Sequence, residues 1–196
     1  MDRIDRYITI KTNREAPRRG SVLLSEPLMG DYYFGRSVVL LAEHNDEGTF
    51  GVIMNKPLEQ SLNEAVPHFP NFEGRIFLGG PVEKNSLFYI HSFGDLIEDS
   101  VDIGRGLYWG GSIEMIKDLI LVGKLTSDNI RFYAGYSGWS PHQLNNELSR
   151  NAWIVTDIPD QNILAMESDK MWNNLLSPLG EQYAYWSKFP KNPELN

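Results

Sequence analysis

Cysteine is missing from the 196-residue chain. That absence removes disulfides, iron–sulfur clusters, thiolate zinc sites and cysteine nucleophiles together, and it is compatible with a reducing cytoplasm, the expected location. Positive charge is also scarce: 18 Lys and Arg stand against 26 Asp and Glu, a formal net charge of −8. Polyanions are bound mainly by Lys and Arg that neutralise phosphates, so direct binding to DNA or RNA is not expected. The basic cluster Arg14, Arg18 and Arg19 reads as a solvated arm. Long apolar runs are lacking too. Met1 to Asn13 alternates charge with Ile and Tyr and forms no export-signal core. The longest apolar stretch, Ile113 to Leu125, carries Lys117 and Asp118 and is too short to cross a bilayer, so no membrane partner is expected.

Hydrophobic residues make up 41% and charged residues 22% of the chain, the balance of a globular protein and not of a disordered one. No internal repeat, low-complexity tract or Pro/Gly/Ser-rich linker divides the sequence. The expected organisation is one domain over 1–196, with a peripheral arm at 1–19 and a tail at about 180–196.

Ser21–Ser25 and Ser37–Ala42 are short, β-branched, nearly continuous apolar runs, the pattern of strands buried on both faces. The polar turn His44–Gly48 leads into Phe50–Met54, which predicts an antiparallel hairpin. Further strands are expected at Arg75–Leu78, Leu87–His91, Ile130–Tyr136 and Trp153–Asp157. Ser61-Leu-Asn-Glu64 is a capping box, and Pro67 limits its helix to about two turns. Ser112 caps a longer helix with an apolar stripe at Ile113, Ile116, Leu119 and Ile120. Ser140-Pro-His-Gln143 predicts a helix with Ser140 as N-cap and Pro141 at its first position, ended by Asn151 in a left-handed turn. A last helix is expected over Ser168–Leu176, stopped by Pro178. Locally pairing strands with a few interspersed helices give an α+β fold with a mixed, mainly antiparallel, curled sheet.

Read together, six ordered stretches make the chain resemble the YqgE/AlgH family. They are Gly20-Ser-Val-Leu-Leu-Ser-Glu-Pro27, Phe34-Gly-Arg-Ser-Val-Val39, Glu43-His44, Gly51-Val-Ile-Met-Asn-Lys-Pro57, Gly79-Gly-Pro81 and Gly135-Tyr-Ser-Gly-Trp-Ser-Pro-His-Gln-Leu144 with Glu147-Leu148. The resemblance covers roughly Gly20 to Asp157 and implies a bifurcated sheet curled into a pseudo-barrel with flanking helices. It implies no biochemical activity, although one branch carries a transcriptional-regulator label. The N-terminal arm and the Tyr- and Trp-rich tail beyond about Gly180 lie outside the shared pattern.

Several residues of these motifs are candidates for a site. Gly135-Tyr-Ser137-Gly138-Trp139 has the order of a nucleophile elbow, but that turn needs a small fifth residue where Trp139 stands, and no His follows His142 to complete a triad. The structural reading is a sharp turn with Trp139 packed beneath it. Gly79, Gly80 and Asn55 end strands where backbone can approach a ligand, and Lys56 can meet an anion. The phosphate-binding patterns G-x-x-x-x-G-K-[ST] and G-x-G-x-x-G are both absent. Four His without metal-ligand spacing leave His44 as a turn residue, and no metal or cofactor is expected. Gln143, Glu147 and Arg150 share a helix face, with Gln143 read as a cap partner and Glu147 as a solvated charge. Arg36, just before a buried strand, needs a carboxylate or carbonyl partner and reads as structural. The aromatic C-terminal segment, with Trp172, Tyr183, Tyr185 and Trp186, is expected to dock on its own domain.

The candidate pocket is therefore Arg36, His44, Asn55, Lys56, Gly79, Gly80, Ser137, Trp139 and Gln143, with no catalytic set. The expected function is non-enzymatic binding or regulation, with a protein or small molecule as partner. The alternatives are a DNA-binding regulator and an enzyme of unrecognised type acting on a small molecule through His44, Glu43 or Ser137.

Overall fold

The computed structural model describes residues 15–158 and 161–188. Arg14, the first part of the expected arm and the end of the tail lie outside that range, as does the side chain of Tyr185. Side-chain alternation along the first strands explains how one sheet can be apolar on both faces. In β1 (Ser21–Ser25), Val22 and Leu24 join one buried cluster while Leu23 joins another. In β2 (Val38–Asn45), Val38, Leu40 and Ala42 face the first cluster, and Val39 and Leu41 the second. The continuous apolar runs of the sequence are two half-buried patterns interleaved.

β2 returns through Asp46 and Glu47 into β3 (Gly48–Ile53), with Asn45 paired to Gly48. The ladder thus runs through His44, which the sequence assigns to the turn. After β4 (Pro57–Ser61) and β5 (Arg75–Leu78) come β6 (Val82–His91), β7 (Ser100–Gly104) and β8 (Leu107–Gly110). β9 (Ile130–Trp139) and β10 (Trp153–Asp157) complete the sheet, whose neighbour order is β10-β1-β2-β3-β9-β6-β8-β7, with β5 also on β9 and β4 on β5. The β5–β9 pairing is parallel and the other described pairings are antiparallel. The sheet curls until Arg19 bridges β2 and β7, pairing with Glu43 and donating Nη1 to Asp102 O at 3.4 Å. The architecture is α+β, a mixed, mainly antiparallel sheet curled into a pseudo-barrel.

β9 is where the sheet forks. One edge pairs with β6, while the other pairs with β5 through Phe132–Ala134 and with β3 through Ser137–Trp139. The switch occurs at Gly135, whose φ is +70°. Ala134 packs outside with Phe132, yet Tyr136 packs against the barrel interior, so the left-handed residue between them breaks the alternation and reverses which side chains point in. Gly79 sits in the crotch of this fork: its N–H donates to Ala134 O at 2.9 Å and its carbonyl accepts from Ile53 N at 2.9 Å. A Cβ on Gly79 would lie 2.0 Å from Gly135 O.

Helices cover the remaining apolar surface. α1 (Leu62–Ala65) has the expected Ser61–Glu64 capping box but only one turn, and α2 (Ile113–Leu121) starts at Ser112 as expected. Both pack outside β5, β9 and β6, with Leu62, Ile116 and Ile120 against Phe132. α3 (Gln143–Ser149) starts later than expected: His142 at φ +63° is its N-cap, and Ser140 and Pro141 form the turn before it. Gln143 still reaches back, accepting from Ser140 N at 3.0 Å. Asn151 adopts the expected left-handed conformation. α4 (Ser168–Leu176) and α5 (Glu181–Trp186) close the barrel interior, burying Met171, Trp172, Leu176, Tyr183 and Trp186 beside Val38, Leu40 and Met54. Here the aromatic segment docks on its own chain.

Arg131 fastens that closure. Its guanidinium is buried in the barrel, donates to Met54 O at 2.8 Å, to Leu164 O and to Met166 O at 3.2 Å, and lies 4.3 Å from the Phe77 ring centroid. Among the described residues no carboxylate pairs with it. Carbonyl oxygens and a ring face carry the charge instead.

Candidate functional site

The expected pocket does not form as one site. Gly79, Gly80 and Ser137 belong to the fork, where the backbone is sealed. Ser137 is fully buried, and its Oγ donates to Gly79 O at 2.9 Å. β9 continues through Trp139, so no strand-to-helix elbow exists at Ser137 and its hydroxyl is out of reach of a substrate. Trp139 packs outside the sheet with Phe34 and Trp153, and Glu147 supports both indoles, accepting from Trp139 Nε1 at 2.9 Å and Trp153 Nε1 at 2.7 Å. Gln143 Nε2 donates to the other Glu147 oxygen at 3.0 Å. Glu147 is therefore the polar anchor of an aromatic cluster and not a solvated charge. His44 lies elsewhere, its Nδ1 2.6 Å from Thr49 Oγ1, in a small cavity of about 260 Å³ shared with Asp46, Ser140 and His142. Among the described residues no group of three or more His, Asp or Glu is arranged to hold a metal ion.

Three of the predicted residues do come together. Arg36, Asn55 and Lys56 form one wall of a cleft of about 690 Å³ between the loop after β1 and the first turns of α4, with Leu28, Asp31 and Trp172 on its other sides. The loop is shaped locally: Asp31 Oδ1 accepts from Tyr33 N at 2.7 Å and Phe34 N at 3.0 Å, an Asx turn. It is tethered by Phe34, whose ring stacks edge-on against Trp153 at 5.4 Å. Lys56 braces it from below, donating to Tyr33 O and, at 3.4 Å, to Tyr32 O. On the opposite side Trp172 Nε1 donates to Ser25 O at 3.1 Å, which fixes α4 to the end of β1.

Arg36 adopts φ +51°, a left-handed conformation unusual for a residue with a Cβ. Asn55 holds it there: its Nδ2 donates to Arg36 O at 2.9 Å and its Oδ1 accepts from Val38 N at 2.9 Å. The guanidinium then lies 5.2 Å from the Trp172 ring centroid. Burial lowers the pKa of Arg36. It lowers that of Lys56 as well, with nearby Asp31 opposing the shift. Both are cations partly stripped of water. Trp172 and Asn173 were not legible as cleft residues, because α4 reaches this wall only through tertiary packing. The sequence signal was limited to a helix of the right span.

The matches to known proteins agree with this architecture. The AlgH-like family profile matches residues 22–184. The shared pattern thus continues past Asp157 through α4 and into α5, further than the six motifs reach. A UPF0301 protein of Cytophaga hutchinsonii is 44% identical over 179 residues, spanning 91% of this chain and 98% of the relative. One from Parabacteroides distasonis is 42% identical over 189 residues, covering 95% and 96% of the two chains. Among solved structures, a Corynebacterium diphtheriae protein superposes with a TM-score of 0.75 at 23% identity, covering 90% of this chain and 95% of its own. The solution structure of AlgH from Pseudomonas aeruginosa superposes with a TM-score of 0.70 at 24% identity, covering 91% and 98%. Similarity at that level speaks for the fold. With the profile spanning most of the chain and relatives above 40% identity along nearly their whole length, the chain belongs to the AlgH-like family.

Proposed function

We propose that this protein acts by binding, without catalysis, and that its ligand sits in the cleft between the loop after β1 and α4. The observation carrying this reading is the convergence of Arg36, Lys56 and Trp172 on a concavity of about 690 Å³. That volume is typical of small-molecule sites, and half-buried polar groups against an aromatic wall are their usual lining. The reading also draws on Ser137, the serine of the elbow-like Gly-Tyr-Ser-Gly-Trp order, being buried in the sheet. A regulatory role, including one linked to transcription, would then pass through a small molecule or a protein segment held in the cleft. A net charge of −8 argues against DNA as the direct partner.

A fragment screen followed by amide chemical shifts tests the site. Hits should perturb residues 27–36, 55–57 and 168–173, and Trp172→Ala should abolish them. Hits confined to the small cavity at His44 would overturn the assignment. In parallel, a titration with mixed duplex DNA should show no affinity that falls steeply as salt rises.

A further inference from the structure

The cleft carries more charge than its loop needs. Lys56 uses its ammonium to brace two carbonyls, yet among the described residues no carboxylate lies within ion-pair distance of it. Arg36 stands on the same wall, placed there by a left-handed backbone that Asn55 clamps from two sides. Non-glycine residues held in that region cost about 1 kcal/mol or more and persist where the surroundings enforce them. The cleft's own carboxylates are exposed: Asp31 spends Oδ1 on two loop N–H groups, and Asp169 sits in the exposed first turn of α4. The cations are the half-buried members of the set. One further polar atom is unsatisfied: Asn173 Oδ1, on a residue lining the cleft, is buried and accepts no hydrogen bond among the described residues.

We infer that the cleft recognises a small organic oxyanion, a carboxylate or phosphate monoester on a flat apolar body, with Lys56 and Arg36 taking the anion. This rests on reading the cleft as the binding site and adds the ligand's chemical class. Leu28 and Met29 offer apolar surface to the body of the ligand. Asn173 Oδ1 is an acceptor for an N–H or O–H that the ligand carries. A partly desolvated cation has lost water it would otherwise hold, and an oxyanion restores that contact with a charge-assisted hydrogen bond.

The experiment is a titration of the full chain followed by the indole N–H signal of Trp172, with those of Trp139 and Trp153 as reporters of the fold. The probes are two matched pairs, phenyl phosphate with phenol and benzoate with benzamide. At least one acid should shift the Trp172 signal saturably while its neutral partner does not, and the tighter acid tells phosphate from carboxylate. Lys56→Met should weaken that acid about tenfold, and Lys56→Arg should keep most of the affinity. Should Lys56→Met also disturb Trp139 and Trp153, the wild-type salt dependence decides: oxyanion binding weakens as chloride rises. Equal shifts from the neutral partners, or affinity that ignores both Lys56→Met and salt, would overturn the oxyanion class while leaving the cleft as a binding site. No Trp172 response to any of the four probes at millimolar concentration would overturn both.

Discussion

The fork of the sheet and the cleft beside α4 both hold motifs rich in glycine, asparagine and serine, but the residues are used in opposite ways. At the fork, Gly79, Gly80, Gly135 and Ser137 bring three strands together with no room left between them. Every polar group named there is spent on another backbone group. At the cleft, Asn55 shapes one strained residue, and two cations face a concavity. Glycine-rich turns often signal backbone approaching a ligand. In this molecule the nearest approach is of backbone to backbone, and the ligand-sized space lies beside residues with long side chains.

The sharpest way to break this comparison is to add one methyl group at the fork. Gly79→Ala places a Cβ 2.0 Å from Gly135 O and 3.0 Å from Tyr133 Cβ, neither of which is the far end of a flexible side chain that could yield. A loss of about 3–5 kcal/mol in denaturant unfolding is expected. A near-neutral result would mean the fork has slack, and its glycines would again need a ligand to explain them.

Arg131→Met separates a structural cation from ligand-facing ones. It leaves the carbonyls of Met54, Leu164 and Met166 without their donor, at an expected cost of about 2–4 kcal/mol. Hydrogen exchange should rise first in the segment through Leu164 and Met166 that leads into α4, which Arg131 ties to the sheet. Lys56→Met, by contrast, removes a half-buried charge from a loop brace and should change stability by less than about 1 kcal/mol. If Lys56→Met proves as costly as Arg131→Met, the cleft is structural after all.

Glu147→Ala strands two buried indole N–H groups and should cost about 1–3 kcal/mol, while Glu147→Gln, which keeps an acceptor, should cost less. Intrinsic fluorescence of Trp139 and Trp153 would follow the loosening of α3.

A further effect concerns acid. His91 is fully buried; its Nδ1 accepts from Phe93 N at 3.2 Å, so Nε2 carries the proton and donates to Gly110 O at 3.0 Å. Burial holds its pKa below the ordinary value of 6.5, with the Gly110 bond opposing. The unfolded chain therefore takes up a proton first as pH falls. The stability is complete above about pH 6.5 and declines as pH drops toward the folded-state pKa, by at most about 1.4 kcal/mol per pH unit. His91→Gln should flatten that part of the stability curve; an unchanged slope would assign it to another group.

Much of this architecture was legible because the signals are local. Ser61 with Glu64, and Ser112, fix two helix starts, and the apolar runs give strands β1, β2, β3, β5, β9 and β10. β7 and β8 escaped because they are short and joined at Arg105-Gly106, both at positive φ, where an Asn-Gly would have announced the turn. β4 escaped because it opens on Pro57 and is largely polar, an edge strand by composition. The start of α3 was misread since Ser140 and Pro141 satisfy the capping rule while His142 carries the cap. The candidate site was half legible. Arg36, Asn55 and Lys56 stand in motifs, but the assignment to one pocket with Gly80 and Trp139 assumed that neighbouring motifs share a surface. Alternation along β3 and the reversal at Gly135 send them to different sides of the sheet, and no pattern in the sequence announces that reversal.

Trp172 and Ser25, joined across the cleft, stand 147 positions apart in the chain. One wall is therefore synthesised 147 residues before the other. A ligand that needs both walls can engage only a chain whose α4 has emerged and packed against β1, and its occupancy would report on that long-range closure as much as on its own concentration.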